Sequence, residues 1–323
     1  MRIALLGSGK IVQELLSIVP EVPGMDVVAI QGREASRERV AALAQAHHVS
    51  RIYTDPAACL RDPDVDAVYI GLPNDLHFGA ARAALLAGKD VICEKPIVPT
   101  IAEFDSLIAL ARERGLILVE AITTQHLAAF RALADRLPYV GRIRLVESVY
   151  TQRSSRYDAF RDGAMPSAFD SARGGGALMD LGVYTLHAII GVLGEPESVD
   201  YRPTLERGSD TSGVVTLGYE GAQGVGICAK DADGPSRTVV HGDEGWIQMD
   251  GAPNSGGPVT VHLRGREPEH LDPTVHPHRM VEEMREFTRM IDGCDVDARD
   301  RLLTHSRTVL SVLERARNGQ RPA

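Results

Sequence analysis

Ile3-Ala4-Leu5-Leu6 runs without a break into Gly7-Ser8-Gly9-Lys10-Ile11-Val12, an apolar run, a glycine turn and the start of a helical pattern through Leu15, Leu16 and Val19. Gly7 permits the tight turn. Gly9 lets backbone N–H groups approach an anion at a helix N-terminus, where the helix dipole favours negative charge. Four further apolar runs follow at residues 27–30, 67–70, 91–93 and 116–119, separated by amphipathic stretches near 37–47, 77–87 and 101–114. Short continuous apolar runs alternating with helical periodicity read as buried parallel strands joined by helices, a doubly wound α/β domain over residues 1–121. A glycine turn after the first strand of such a domain is the start of a dinucleotide site. Its third small position is filled by Val12, so helix and strand are expected to pack slightly wider there.

The second half changes character. Alternating β-branched runs at residues 143–151, 214–219, 225–229, 238–241 and 246–249, punctuated by Gly221, Gly234 and Gly245, predict an open, mostly antiparallel sheet. One helix near 176–193 interrupts it, and two more, near 278–291 and 301–318, close the chain. Residues 122–323 are therefore expected to form a separate α+β domain, whose last helices could pack back on the first. A chain of 323 residues with 44% hydrophobic content can bury two cores.

Charge and cysteine usage narrow the partners. The net charge is -9, from 35 basic and 44 acidic residues of mixed order, with no basic stripe for nucleic acid and no polybasic membrane patch. A small soluble ligand fits better. Cys59, Cys93, Cys228 and Cys294 lie far apart, which suggests neither a disulfide framework nor a zinc site. The histidines between His270 and His278 alternate with prolines and read as a surface loop, so no metal is expected. With no charged leader before Ile3 and no apolar run of about 18 residues, a cytoplasmic chain without a membrane span is expected.

Ile92-Cys93-Glu94-Lys95-Pro96 places an ionisable pair at the end of a buried strand, and adjacent residues on an extended segment point to opposite faces. That argues against a simple Glu94–Lys95 ion pair and leaves Lys95 positioned for chemistry. After residues 27–30 the chain reads Gln31-Gly32-Arg33, with no carboxylate at the strand tip to hold a ribose 2′-hydroxyl. Arg33, Ser36 and Arg37 form the expected pocket for a 2′-phosphate, which favours NADP(H) and leaves NAD(H) open.

Four segments together resemble the glucose-fructose oxidoreductase, inositol dehydrogenase and rhizopine-catabolism (Gfo/Idh/MocA) family: the Gly7-Ser8-Gly9 turn, Pro73-Asn74-Asp75-Leu76-His77, Glu94-Lys95-Pro96, and the run from Gly174-Gly175-Gly176 to Asp180 and Tyr184. The resemblance covers nearly the whole chain. It implies a Rossmann domain binding NAD(H) or NADP(H), followed by an α/β domain whose open sheet makes a homodimer or homotetramer interface. It also implies Lys95, Asp180 and Tyr184 as the catalytic set. Asp180 and Tyr184, at i and i+4, would share one helix face. The segment from Leu72, Pro73 and Asn74 to His77 would lie near the nicotinamide ribose, with Ser8, Lys10, Ile11 and Glu94 completing the expected cofactor contacts. Asn74 could equally cap the next helix.

Hydride transfer to or from a carbinol carbon needs a group that moves the hydroxyl proton in the same step. Tyr184 is the first candidate. A free tyrosine titrates near pH ~10, so it needs a cation such as Lys95 to act as a base. Inositol-dehydrogenase-like members carry histidine at the Tyr184 position, and tyrosine there resembles glucose-fructose oxidoreductase and the dimeric dihydrodiol or pentose dehydrogenases, a resemblance that implies a sugar, polyol or diol substrate rather than inositol. Gln125, Phe169, Arg173 and His187 are further candidates for substrate contact, His187 with a plain packing role as its alternative. Where relatives carry an aromatic and arginine-proline segment, this chain has Ile122-Thr123-Thr124-Gln125-His126-Leu127. Two other classes share the fold expectation, a cofactor-binding regulator and a lyase or glycosidase using nicotinamide transiently.

Overall fold

A computed structural model describes residues 1–319. The chain divides into two compact units, Met1–Ala121 with Met280–Thr304, and Ile122–Arg279 with the residues from His305 onward.

The first unit alternates β1 (Arg2–Leu6), α1 (Lys10–Ile18), β2 (Asp26–Gln31), α2 (Arg37–Ala46), β3 (Arg51–Tyr53), α3 (Pro56–Arg61), β4 (Ala67–Ile70), α4 (His77–Leu86), β5 (Asp90–Glu94), α5 (Ile101–Arg114) and β6 (Leu118–Ala121). The strands form one parallel sheet in the order β3-β2-β1-β4-β5-β6. Every residue of β4 and β6 is buried, as a parallel sheet covered on both faces requires. Chain order reverses beside β1, between β2 and β4, and an open α/β sheet binds ligands in the crevice at such a point. The ends of α5 were legible: Thr100 accepts from the Glu103 N–H and donates to its carboxylate, and Gly115 ends the helix in the left-handed region.

The second unit contains α6 (Ala128–Ala134), β7 (Ile143–Thr151), α7 (Tyr157–Arg161), α8 (Val183–Leu193), β8 (Ser198–Glu206), β9 (Ser209–Tyr219), β10 (Ala222–Ala229), β11 (Arg237–Gly242), β12 (Gly245–Asp250), β13 (Val259–Leu263) and β14 (Glu269–Leu271). Its eight strands run β14-β13-β12-β11-β7-β10-β9-β8. Only β7 and β10 pair in parallel. α8 sits close on β10: a Cβ at Gly224 would lie 2.5 Å from Ile189 and one at Gly226 2.8 Å from the Thr185 hydroxyl. α9 (Met280–Asp292) buries Met280, Val281, Met284, Phe287, Met290 and Ile291 in the core of the first unit, and α10 (Val296–Asn318) ends the described chain.

Four strands go beyond the expected set. β3 and β14 are three residues each, too short for a periodicity to register, and β8 carries Pro203 among charged residues, which suits an edge strand. β13 has only five residues. A second correction concerns apolar length: the helical stretch Ser171–Leu193 is long and apolar enough to cross a membrane, yet 78% of its apolar window is buried within the protein. It is the central helix of the second core.

Candidate active site

The glycine turn is built as the sequence suggests, with one compensation. Gly7 adopts φ +121°, and a Cβ there would lie 2.6 Å from the Gly71 carbonyl oxygen, so the fold itself demands glycine. Gly9 is different: a Cβ there would meet nothing within 4 Å. It heads α1 with no side-chain cap, so backbone N–H groups of the first helical turn face an open cradle suited to a pyrophosphate. Val12 is fully buried, and its Cγ2 would lie 2.7 Å from a Cβ on Gly71. The small residue missing from the turn is thus supplied by the neighbouring strand, and helix and strand need not pack wider.

The expected phosphate pocket is rearranged. The Ser36 hydroxyl donates to the Arg33 carbonyl at 2.8 Å, and Arg37 pairs with Glu34 at 3.4 Å on the surface. Arg33 is exposed at the end of β2, whose last residue, Gln31, is buried. The cation bonded to the glycine turn is Arg39, which donates Nε and Nη2 to the Ser8 hydroxyl at 3.2 and 2.8 Å. Its place in the first turn of α2 was the available signal, two residues beyond Arg37. Lys10 points outward toward Glu14, and Ile11 is half-buried.

Around Lys95 the backbone is pinned from both sides. His77 is fully buried, with Nδ1 3.0 Å from the Pro96 carbonyl and Nε2 2.9 Å from the Leu72 carbonyl. It is a strut between two turns. The Ile97 N–H donates to the buried Glu120 carboxylate at 3.0 Å. Glu94 accepts from the fully buried Tyr69 hydroxyl and, at 3.2 Å, from the Lys95 backbone N–H. These bonds hold the strand end. Lys95 itself is half-buried. Asn74 opens a single 3-10 turn, Asn74–Leu76, after the exposed Pro73, and does not cap α4.

In the second unit Gly174 and Gly176, at φ +75° and +115°, lead into a π-helical turn, Leu178–Gly182, continuous with α8. Asp180 lies in that wider turn and Tyr184 in the first turn of α8. Wide turns of this kind recur at functional sites. The Asp180 side chain is 39% exposed, and its Oδ2 accepts from Lys230 Nζ at 2.7 Å. Tyr184 is 7% exposed and meets the edge of Tyr150 at 5.9 Å and 61°. Tyr150 in turn lines a cavity of about 430 Å³ with Gln152, Ser236, Asn254, Ser255 and Arg279. A buried carboxylate, Asp210, holds the helix start by accepting from the Leu178 N–H at 2.7 Å and the Tyr201 hydroxyl at 2.8 Å. Burial pushes its carboxyl above the usual range despite those donors.

The remaining substrate candidates do not gather there. Phe169 is fully buried and stacked on Phe160 at 4.5 Å. His187 is also fully buried, with Nδ1 3.0 Å from His305 Nε2, and Gln125 donates to the His187 carbonyl at 3.0 Å. Both lie in the second unit, His187 in its interior and Gln125 half-buried. Arg173 is exposed at the end of a 3-10 turn. Lys230 and Asp210 were missed because neither belongs to a local motif.

Residues 1–122 match the family model described as the oxidoreductase family with NAD-binding Rossmann fold, and residues 138–248 match its C-terminal domain. The scyllo-inositol 2-dehydrogenase (NADP(+)) of Bacillus subtilis is 30% identical over 98% of this chain and 96% of its own. The trans-1,2-dihydrobenzene-1,2-diol dehydrogenase of Macaca fascicularis is 31% identical over 77% and 74%. A 3-ketoreductase from Actinomadura kijaniata, solved with NADP and TDP-benzene, superposes with a TM-score of 0.86 at 25% identity, covering 100% of this chain and 98% of that one. The glycine cradle, the two-sheet architecture and these relatives agree: the chain belongs to the Gfo/Idh/MocA family and is an NAD(P)-dependent oxidoreductase.

Proposed function

We propose that this enzyme interconverts a secondary alcohol and its carbonyl on a sugar, cyclic polyol or diol, using NADP(H), with Lys95, Asp180 and Tyr184 as the proton-handling set. The observation that carries the reading is the placement of Asp180 and Tyr184 on one continuous helix, with Tyr184 against Tyr150 at the wall of a cavity lined by hydroxyl, amide and guanidinium groups. Such a lining suits a substrate rich in hydroxyls. A bound nicotinamide supplies or takes the hydride. In this reading the Tyr184 hydroxyl gives a proton to the forming alkoxide, or takes it in oxidation, and the Lys95 ammonium is the cation assigned to stabilise its phenolate. Asp180 orients the reacting hydroxyl.

NADP(H) is favoured because β2 ends in Gln31 with no carboxylate at its tip, Glu34 being paired with Arg37, while Arg33 is exposed beside that end and Arg39 is fixed to the glycine turn. The relative from Bacillus subtilis and the ketoreductase point the same way, both being described with NADP. We infer further that the enzyme is cytoplasmic and works as a homodimer or homotetramer through the open face of the second sheet.

The test is a fluorescence titration with NADPH and NADH, followed by assays at 340 nm with pentoses, hexoses, inositols and cyclic diols. Tighter NADPH binding with turnover of at least one class is expected. Lys95→Ala and Tyr184→Phe should each lower kcat by at least ~100-fold with cofactor affinity retained. Turnover near the wild-type rate in both variants would refute the assignment.

A further inference from the structure

Lys230 directly follows β10, and its side chain is 2% exposed. Its ammonium donates to Asp180 Oδ2 at 2.7 Å and to the Ala168 carbonyl, and lies 4.5 Å above the Phe169 ring. Its backbone is fixed as well, the N–H donating to Thr211 at 2.7 Å and the carbonyl accepting from Ser154 at 2.8 Å. A buried ammonium is costly unless a charge and hydrogen bonds compensate it. A cation needed for packing alone would be best matched by an equally buried carboxylate. This one is matched by Asp180, whose side chain stays 39% exposed in the π turn before Tyr184.

We infer that Lys230 is a positioning residue for the reaction, holding one oxygen of Asp180 so that the carboxylate meets the substrate in one orientation. Nothing given by the family motifs includes it. Lys230 itself is sealed from the substrate, so it acts only through Asp180. A charge-assisted hydrogen bond with two further ties on the same ammonium fixes the carboxylate more tightly than solvent does. Misplacing a reacting or orienting group by about 1 Å costs roughly 100-fold in rate.

The inference rests on the proposed role of Asp180, and a double-mutant cycle separates the two. Lys230→Met, Asp180→Asn and the double variant are compared by kcat, KM and NADPH affinity, with thermal melting to establish folding. Lys230→Met should lower kcat about 100-fold with NADPH affinity kept, and should cause no further loss when Asp180 is already Asn. Losses that multiply, or wild-type kcat in Lys230→Met, would overturn the inference while leaving Asp180 in place. Wild-type turnover in Asp180→Asn would overturn both it and the proposed set. Should Lys230→Met fail to fold, Lys230→Arg serves in the same cycle: it keeps the charge but moves the donor, and the same non-multiplying loss is expected.

Discussion

An apolar run precedes two lysines of this chain, Val91-Ile92-Cys93 before Glu94-Lys95 and Ile227-Cys228-Ala229 before Lys230, but only the first carries the Glu-Lys pair and the following proline that single it out. What hid Lys230 was distance in sequence: its partner Asp180 lies 50 residues away and meets it only once β10 is under the helix. Asp210 was hidden for the same reason, its partners Leu178 and Tyr201 being brought together by the sheet. The Asp210 carboxyl carries a testable sign. Burial raises its folded-state pKa, so the folded protein binds this proton more tightly than the unfolded chain does. Its contribution to stability is fully present below the unfolded carboxyl value near ~3.9 and is lost as pH rises through the raised folded value. Melting of wild type and Asp210→Asn across this range should show wild type losing ground to the variant as pH rises. A difference independent of pH would mean that the group does not titrate in the fold.

At the scale of elements, legibility followed local chemistry. The glycine turn, the amphipathic stretches and the continuous apolar runs marked the strands of the first sheet apart from β3, whose three half-buried residues carry no pattern. The π turn had no sequence signature, because its widening depends on how the glycine-rich entry is held by Asp210 and on the seat that β10 provides. That seat is itself a prediction. Gly226 allows Thr185, the neighbour of Tyr184, to approach β10, and an added methyl would lie 2.7 Å from Val215 on β9 and 2.8 Å from the Thr185 hydroxyl on α8, so it pushes on both. Gly226→Ala should therefore destabilise the protein by about 1–3 kcal/mol, the scale of overpacking, and lower kcat more than it changes NADPH affinity. Equal losses in catalysis and cofactor binding would show that the helix is not what moves. On the first unit, Thr100→Ala should cost about 1 kcal/mol in chemical denaturation without altering kcat, since it removes only a helix cap.

On the scale of the whole molecule, the four thiols report on the two units separately. Cys59 and Cys93 are buried in the first unit and Cys228 in the second, while Cys294 is exposed. Burial pushes the Cys59 thiol up to about 12 and the Cys93 and Cys228 thiols well above their ordinary range, so all three are inert in the native protein and react only after opening. Their alkylation rates thus measure local stability. Cofactor bound at the glycine cradle stabilises the unit that holds it by RT ln(1 + [L]/Kd), about 2.7 kcal/mol at 100 times Kd. NADPH at that concentration should slow labelling of Cys59 and Cys93 by roughly 100-fold when reclosing is faster than alkylation, and leave Cys294 unchanged because it needs no opening. Mass spectrometry of trypsin fragments after timed iodoacetamide exposure reads each site in one experiment. Unprotected Cys59 and Cys93 at saturating NADPH would place the cofactor away from the first sheet and remove the basis for the cradle.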